Sequence, residues 1–110
     1  MIMLRITMNV LPEKQKEVMQ TLVSMIEPTG KDNGCLSCKA FCDMEDKNIY
    51  SLIEEWETRE DLDHHLRSER FSVLLGARSL LNEPSKIQIH TVSHSEGIEA
   101  VNAARGKRNL

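Results

Sequence analysis

From Ile2 to Val10, apolar and polar residues change places at every step. Ile2, Leu4, Ile6, Met8 and Val10 alternate with Met3, Arg5, Thr7 and Asn9. A period of two predicts a strand with one apolar face. The period then lengthens. Val18, Met19, Leu22, Val23, Met25 and Ile26 recur at helical spacing. Pro12 suits the first turn of that helix, Glu13 favours its dipole, and Pro28 and Gly30 are read as its stop. The loop "GKDNG" leads into "CLSCKAFC". A turn at "MEDKN" separates this from "IYSLIEEW", Ile49 to Trp56, and the two runs predict a hairpin.

"TRED" matches a capping box, with Thr58 accepting from the Asp61 amide at the start of a second helix. Leu62, Leu66, Val73, Leu74, Ala77 and Leu81 hold one stripe. Glu69 falls in that stripe, which predicts a break or restart at 68–70. "NEPS" ends the run. Lys86 to His94 predicts a fourth strand, with Ile87, Ile89 and Thr91 on one side and Gln88, His90 and Val92 on the other. The order is β-α-β twice. With right-handed crossovers this is the split βαβ, ferredoxin-like α+β fold βαββαβ: a four-stranded antiparallel sheet with its helices on one face. The domain is expected over residues 1–94. The tail, 95–110, reads as a short helix through Ile98 and Val101 or as a frayed end. The sheet's other face is left open, and an apolar open face argues for a partner, most simply a second copy.

Composition narrows the functional classes. With 110 residues the chain makes one domain, able to bury roughly two thirds of its unfolded surface. Only four residues are aromatic, so the core must be aliphatic. A net charge of −3 with mixed signs and no basic stripe excludes nucleic acid as a partner. The opening "MIMLRITMNV" carries Arg5 and no small-residue cleavage site, and no apolar run reaches the ~20 residues of a membrane span. The expectation is a cytoplasmic protein with reduced thiols.

All three cysteines lie in one C-x2-C-x3-C stretch. On a helix, Cys35, Cys38 and Cys42 would converge. On the strand predicted here, Cys38 and Cys42 share a face about 13 Å apart and Cys35 points the other way. There is no fourth thiol and no histidine at zinc-finger spacing, so no metal site is expected. "DLDHHL" looks like a ligand cluster, but helical geometry separates its histidines. With Leu62 inward, His65 lies about 60° away and His64 about 160° away. Asp61 is within reach of His65 unless capping occupies it. An imidazole in the early turns of a helix sits near the positive end of the dipole, which suits the neutral ring a general base needs. The alternative is a buried histidine bonded to a carbonyl. Trp56 shares a face with Glu54, Leu52 and Tyr50. It is either core or a pocket wall whose indole N–H orients a substrate oxygen. His90 is a further candidate.

Gly34-Cys35, Glu54 and Trp56, Leu62, His65-Leu66, and Ser68 with Phe71 together resemble the central motif of the antibiotic biosynthesis monooxygenase (ABM) domains, over roughly Ile2 to Ser93. The resemblance implies a dimeric α/β barrel of two ferredoxin-like subunits joined through their sheets. It also implies cofactor-independent oxidation of a quinol or phenolic substrate by O2, without metal or flavin. In that scheme His65 is the base or proton relay, Trp56 the orienting wall and Glu54 a partner of the imidazole. Some relatives carry an Asn four residues before this Trp, where Leu52 stands. Haem-degrading relatives have a Trp, a ligating His and an Asn where this chain has His65, Leu75 and Thr7, which argues against haem. Two other functions stay open. One is an isomerase of a sugar-phosphate-like metabolite, which would need a basic cluster from Arg5, Arg67 or Arg78. The other is a non-catalytic dimer that binds a hydrophobic metabolite.

Overall fold

The computed structural model describes residues 1–106. Its strands are β1 (Ile2–Asn9), β2 (Cys35–Cys42), β3 (Ile49–Trp56) and β4 (Lys86–Thr91). Its helices are α1 (Gln15–Gly30), α2 (Arg59–Leu66), α3 (Glu69–Gly76) and α4 (Ile98–Ala104). The strands form one antiparallel sheet in the order β2-β3-β1-β4. The ferredoxin-like fold expected from the periodicity is therefore present. β1 and β3 are the two interior strands, and both alternate strictly: Ile2, Leu4, Ile6 and Met8 of β1 are all buried. They pair across the sheet with Trp56, Glu54, Leu52 and Tyr50, which are buried too. Val18, Leu22 and Met25 of α1, Leu62 of α2 and Phe71 and Leu74 of α3 close the core over that face.

Three details differ from the sequence reading, and a fourth bears it out. Pro28 does not stop α1 but sits inside its last turn. So near the C-terminus the proline forfeits a single ladder bond, and its own carbonyl still accepts from the Lys31 amide at 3.2 Å. β4 ends at Thr91, three residues short of His94. The open face of the sheet is mixed rather than apolar: Met3, Phe41, Ile49 and Ile53 share it with Arg5, Thr7, Ser37, Lys39, Ser51 and Glu55. Lastly, the long second helix is two. α2 ends at Leu66, and α3 restarts with Ser68 as its cap, which is the break that Glu69 implied.

The expected tail contains α4, which buries none of its residues. Positions 107–110 of that tail lie outside the described residues. The radius of gyration is 16.5 Å, against about 13 Å for a compact chain of this length, so part of the chain projects from the body. Among the described residues no helix is long and apolar enough to cross a membrane.

Candidate active site

Two residues apart on β3, Glu54 and Trp56 necessarily point the same way, here into the core. Neither is exposed at all. A carboxylate in such surroundings needs donors. The indole Nε1 of Trp56 supplies one, at 3.0 Å from Glu54 Oε1. His65 arrives from α2. Its Nε2 lies 3.0 Å from the same oxygen, yet out of line for a hydrogen bond. The reason is geometric. The imidazole stacks on the indole, with centroids 4.8 Å apart and planes 29° apart. An oxygen held by the indole N–H therefore approaches the imidazole from off its ring plane. Phe71 closes the third side edge-on, its centroid 5.4 Å from that of His65.

The capping box sets the angle of α2. Thr58 accepts from the Asp61 amide at 3.1 Å, and its hydroxyl donates to the Asp61 carboxylate at 2.8 Å. Asp61 is thereby engaged and is not the partner of His65. On the Nδ1 side the nearest carboxylate is Asp32, 3.8 Å away. Arg70 donates to that same Asp32 oxygen at 2.7 Å. Sequence reasoning missed Asp32 and Arg70. Asp32 lies in the turn after α1 and is brought over only by the crossover to β2. Arg70 faces it only because α3 restarts at a new angle. The one available signal was an acid inside "GKDNG".

The helix-dipole expectation for His65 is also corrected. α2 is only eight residues long and His65 is the seventh, so it sits in the last turn and not near the positive end. Burial and contacts, not the dipole, define its surroundings. Those surroundings leave polar atoms without partners. Glu54 Oε2 and both ring nitrogens of His65 are buried with no hydrogen bond. Unsatisfied buried groups are costly, and each calls for an explanation, a catalytic role or a bound water among them.

The ABM family model, described as antibiotic biosynthesis monooxygenase, matches residues 1–74. The chain belongs to the ABM family. All of the cluster just described, from Asp32 to Phe71, falls within the matched residues. A conserved protein of Methanosarcina mazei is 32% identical, with 81% of this chain and 89% of that one covered and a TM-score of 0.76. A Deinococcus radiodurans protein proposed to be an antibiotic biosynthesis monooxygenase is 20% identical, with 88% and 97% covered and a TM-score of 0.82. An uncharacterized Synechocystis protein is 27% identical over 89 residues, 80% of this chain. This ABM chain spans 60% of the length of that relative.

The thiols of this family member are placed differently from the simple alternation. A bulge at Leu36 sets Cys35 opposite Trp56 and Cys38 opposite Glu54. The extra residue restores parity, so Cys35 joins Cys38 on the helix-covered face instead of pointing away. Cys38 is pushed up to about 12, first by burial and then by the charge of Glu54. The same two causes raise Cys35. At neutral pH both are protonated and poor nucleophiles. Among the described residues no three His, Cys, Asp or Glu side chains are placed to hold a metal ion.

The cluster is sealed: His65 is 1% exposed. Two surface grooves, one along α1 and one between α1 and β2, are lined by none of its residues. Asp32 and Arg70 are its members nearest solvent, with side chains 36% and 31% exposed. Arg5 projects from the far face of the sheet, and Arg78 is bonded to the Leu81 carbonyl.

Proposed function

We propose that this chain is a cofactor-independent monooxygenase of the ABM type, oxidising a quinol or phenol with O2 at the Glu54–Trp56–His65 cluster. The observation that carries the reading is the buried imidazole with both nitrogens unpartnered, stacked on an indole and set against a carboxylate. Such a ring is free to take a proton and shielded from water, the setting that base-assisted chemistry requires once the sealed cluster opens to admit a substrate. His65 takes the hydroxyl proton of the substrate. The resulting electron-rich anion reduces O2 by one electron, and recombination forms a carbon–oxygen bond to a peroxide. His65 returns its proton to that peroxide. Loss of the ring hydrogen and cleavage of the O–O bond then release water and leave a quinone carbonyl. One oxygen atom enters the product, the other leaves as water, and the substrate supplies both electron pairs. Trp56 fixes the ring of His65 by stacking. Glu54 offsets the charge that the imidazole gains. Leu52 is buried core, so no Asn side chain reaches the site from that position.

The isomerase alternative draws less support, because Arg5 lies across the sheet from His65 and Arg70 is engaged by Asp32. We infer further that the protein works in the cytoplasm as a homodimer stacked through the open sheet faces. Met3, Ile49 and Ile53, with Phe41 on the edge strand, supply the apolar positions there, interspersed with polar ones.

An oxygen electrode tests the chemistry. With a chemically reduced naphthoquinone as substrate and no added metal, the protein is expected to consume O2 above the autoxidation rate. His65→Ala and the less disruptive His65→Gln, each checked for fold by circular dichroism, are expected to lose that excess. An excess rate unchanged in folded His65→Gln, or no excess in the parent across a panel of quinols and phenols, refutes the assignment. Isomer formation under nitrogen would replace it.

A further inference from the structure

The imidazole of His65 stands between two carboxylates, one at each nitrogen. Glu54 Oε1 lies 3.0 Å from Nε2, and Asp32 Oδ2 lies 3.8 Å from Nδ1. The two are not equivalent. Glu54 is wholly buried, and its Oε1 already accepts from the Trp56 indole, so it faces the ring as an acceptor. Even off the ring plane, a carboxylate oxygen this close favours a nitrogen that carries hydrogen over one that carries a lone pair. Asp32 has the opposite setting. It reaches solvent, and Arg70 donates to the same Oδ2 at 2.7 Å. That guanidinium offsets the pull Asp32 would exert on a hydrogen at Nδ1.

The balance is close. The backbone of Asp32 is pinned: its amide donates to the Thr29 carbonyl and its carbonyl accepts from the Cys35 amide, each at 3.1 Å. Its side chain can still turn, and about 1 Å of travel brings Oδ2 within hydrogen-bonding distance of Nδ1. Arg70, the second residue of α3, is what holds it back. The Nδ1 edge is also the one that looks toward solvent. Trp56 covers one face of the ring, Phe71 meets it edge-on and Glu54 closes the Nε2 edge. Asp32 and Arg70, the outermost members of the cluster, stand at Nδ1.

We propose that Arg70 is a positioning residue. By holding Asp32 off the imidazole it keeps the hydrogen on Nε2 and the lone pair on Nδ1. Nδ1 is then the atom that takes the substrate proton, from the side that Asp32 and Arg70 cover. This role rests on the reading of His65 as the base. In the step, the substrate O–H bond breaks, its electron pair stays on the oxygen and an N–H bond forms at Nδ1. Nε2–H then carries its share of the new positive charge beside Glu54. Without Arg70, Asp32 turns in and accepts a hydrogen from Nδ1, because the hydrogen bond made by one ring nitrogen sets the state of the other. The lone pair is then left at Nε2, shut in against a buried carboxylate where no substrate reaches.

Long-range proton–nitrogen NMR correlations read the tautomer without substrate. The full chain is labelled with isotopic histidine and held at pH 8, with His65→Gln assigning the signals and circular dichroism checking each fold. The parent is expected to carry Nε2–H. Arg70→Met is expected to move His65 to Nδ1–H, Arg70→Lys to keep the parent form, and Asp32→Ala added to Arg70→Met to restore it. Quinol-dependent oxygen uptake should follow. Its kcat is expected to fall roughly a hundredfold in Arg70→Met, the lower end of what a general base contributes, with KM changed far less, and to recover in the double variant. Diethyl pyrocarbonate tests the side of approach. In Asp32→Ala it should modify His65 roughly fivefold faster, the scale of losing one partly exposed ion pair, and exposed His64 at the parent rate. A charged ring or Nδ1–H in the parent overturns the proposal. So does an unmoved tautomer in Arg70→Met, a double variant that does not restore it, or no gain in His65 modification. Tautomers that respond as described in a parent without oxygen uptake would sustain the role of Arg70 and refute the oxygenase assignment.

Discussion

Glu54 brings a carboxylate into a layer of leucine, isoleucine and tryptophan, and its neighbours carry the marks. The indole N–H is turned toward it, the imidazole is held 3.0 Å away, and the Cys38 thiol across the strand pair is kept protonated. That last effect gives a prediction with a definite sign. Cys38 ordinarily titrates near 9 and in the folded chain at about 12. Below pH 9 both states hold the proton and stability is unaffected. Between those values the unfolded thiol ionises and the folded one does not, so the native state binds more protons and stability falls as pH rises. The urea midpoint is expected to drop between pH 8 and pH 10.5, and Cys38→Ala is expected to flatten the drop. An unchanged pH slope in that variant would remove Glu54 and burial as the cause. At pH 7.5, iodoacetamide with peptide mapping should label exposed Cys42 first and buried Cys38 only on unfolding.

Two short segments hold the elements in the arrangement the site needs. Gly34 has φ +83°, and a Cβ there would lie 2.1 Å from the Asp61 carboxylate. Strand β2 therefore enters against the capping box of α2 only with glycine. Gly34→Ala is expected to cost at least about 2 kcal/mol from backbone strain alone, read as a lowered urea midpoint, and the displaced Asp61 should loosen α2. Ser68 does the same work at the other end of α2. Its hydroxyl accepts from the Phe71 amide at 3.2 Å and donates to the His65 carbonyl at 2.6 Å. It thus clamps the start of α3 to the residue that bears the imidazole. Ser68→Ala is expected to lose about 1 kcal/mol as a cap. It should also lower quinol-dependent oxygen uptake more than that small loss of stability explains. Activity tracking stability alone would make Ser68 merely a cap.

At the scale of the whole molecule, a single sheet covered on one side leaves its second side to be filled. The helices also stop short of β4, where Ile87 and Ile89 remain 43% and 38% exposed although they lie on the helix side. The face-to-face dimer proposed above covers the open side. Light scattering is expected to give twice the chain mass for the parent and the monomer mass for Ile53→Glu, which sets a charge in the middle of that face. A dimer that survives Ile53→Glu would place the interface elsewhere.

Alternation and helical spacing, local properties of the chain, were enough to determine four strands, the helices, the break near Ser68 and the packing of His65 and Trp56 toward the interior. Family membership was likewise written in residues close together in sequence, from Gly34 to Phe71. Only the folded chain decided the rest. A single extra residue at Leu36 reversed the facing of Cys35, because parity along a strand has no memory beyond its last irregularity. A helix of eight residues put His65 at its end rather than its beginning. Asp32 and Arg70 came to the imidazole through a crossover and a restarted helix, contacts between residues 38 apart in the chain. Periodicity reports which way a side chain points relative to its own backbone. What it meets there depends on the placement of other segments, and that is fixed by packing.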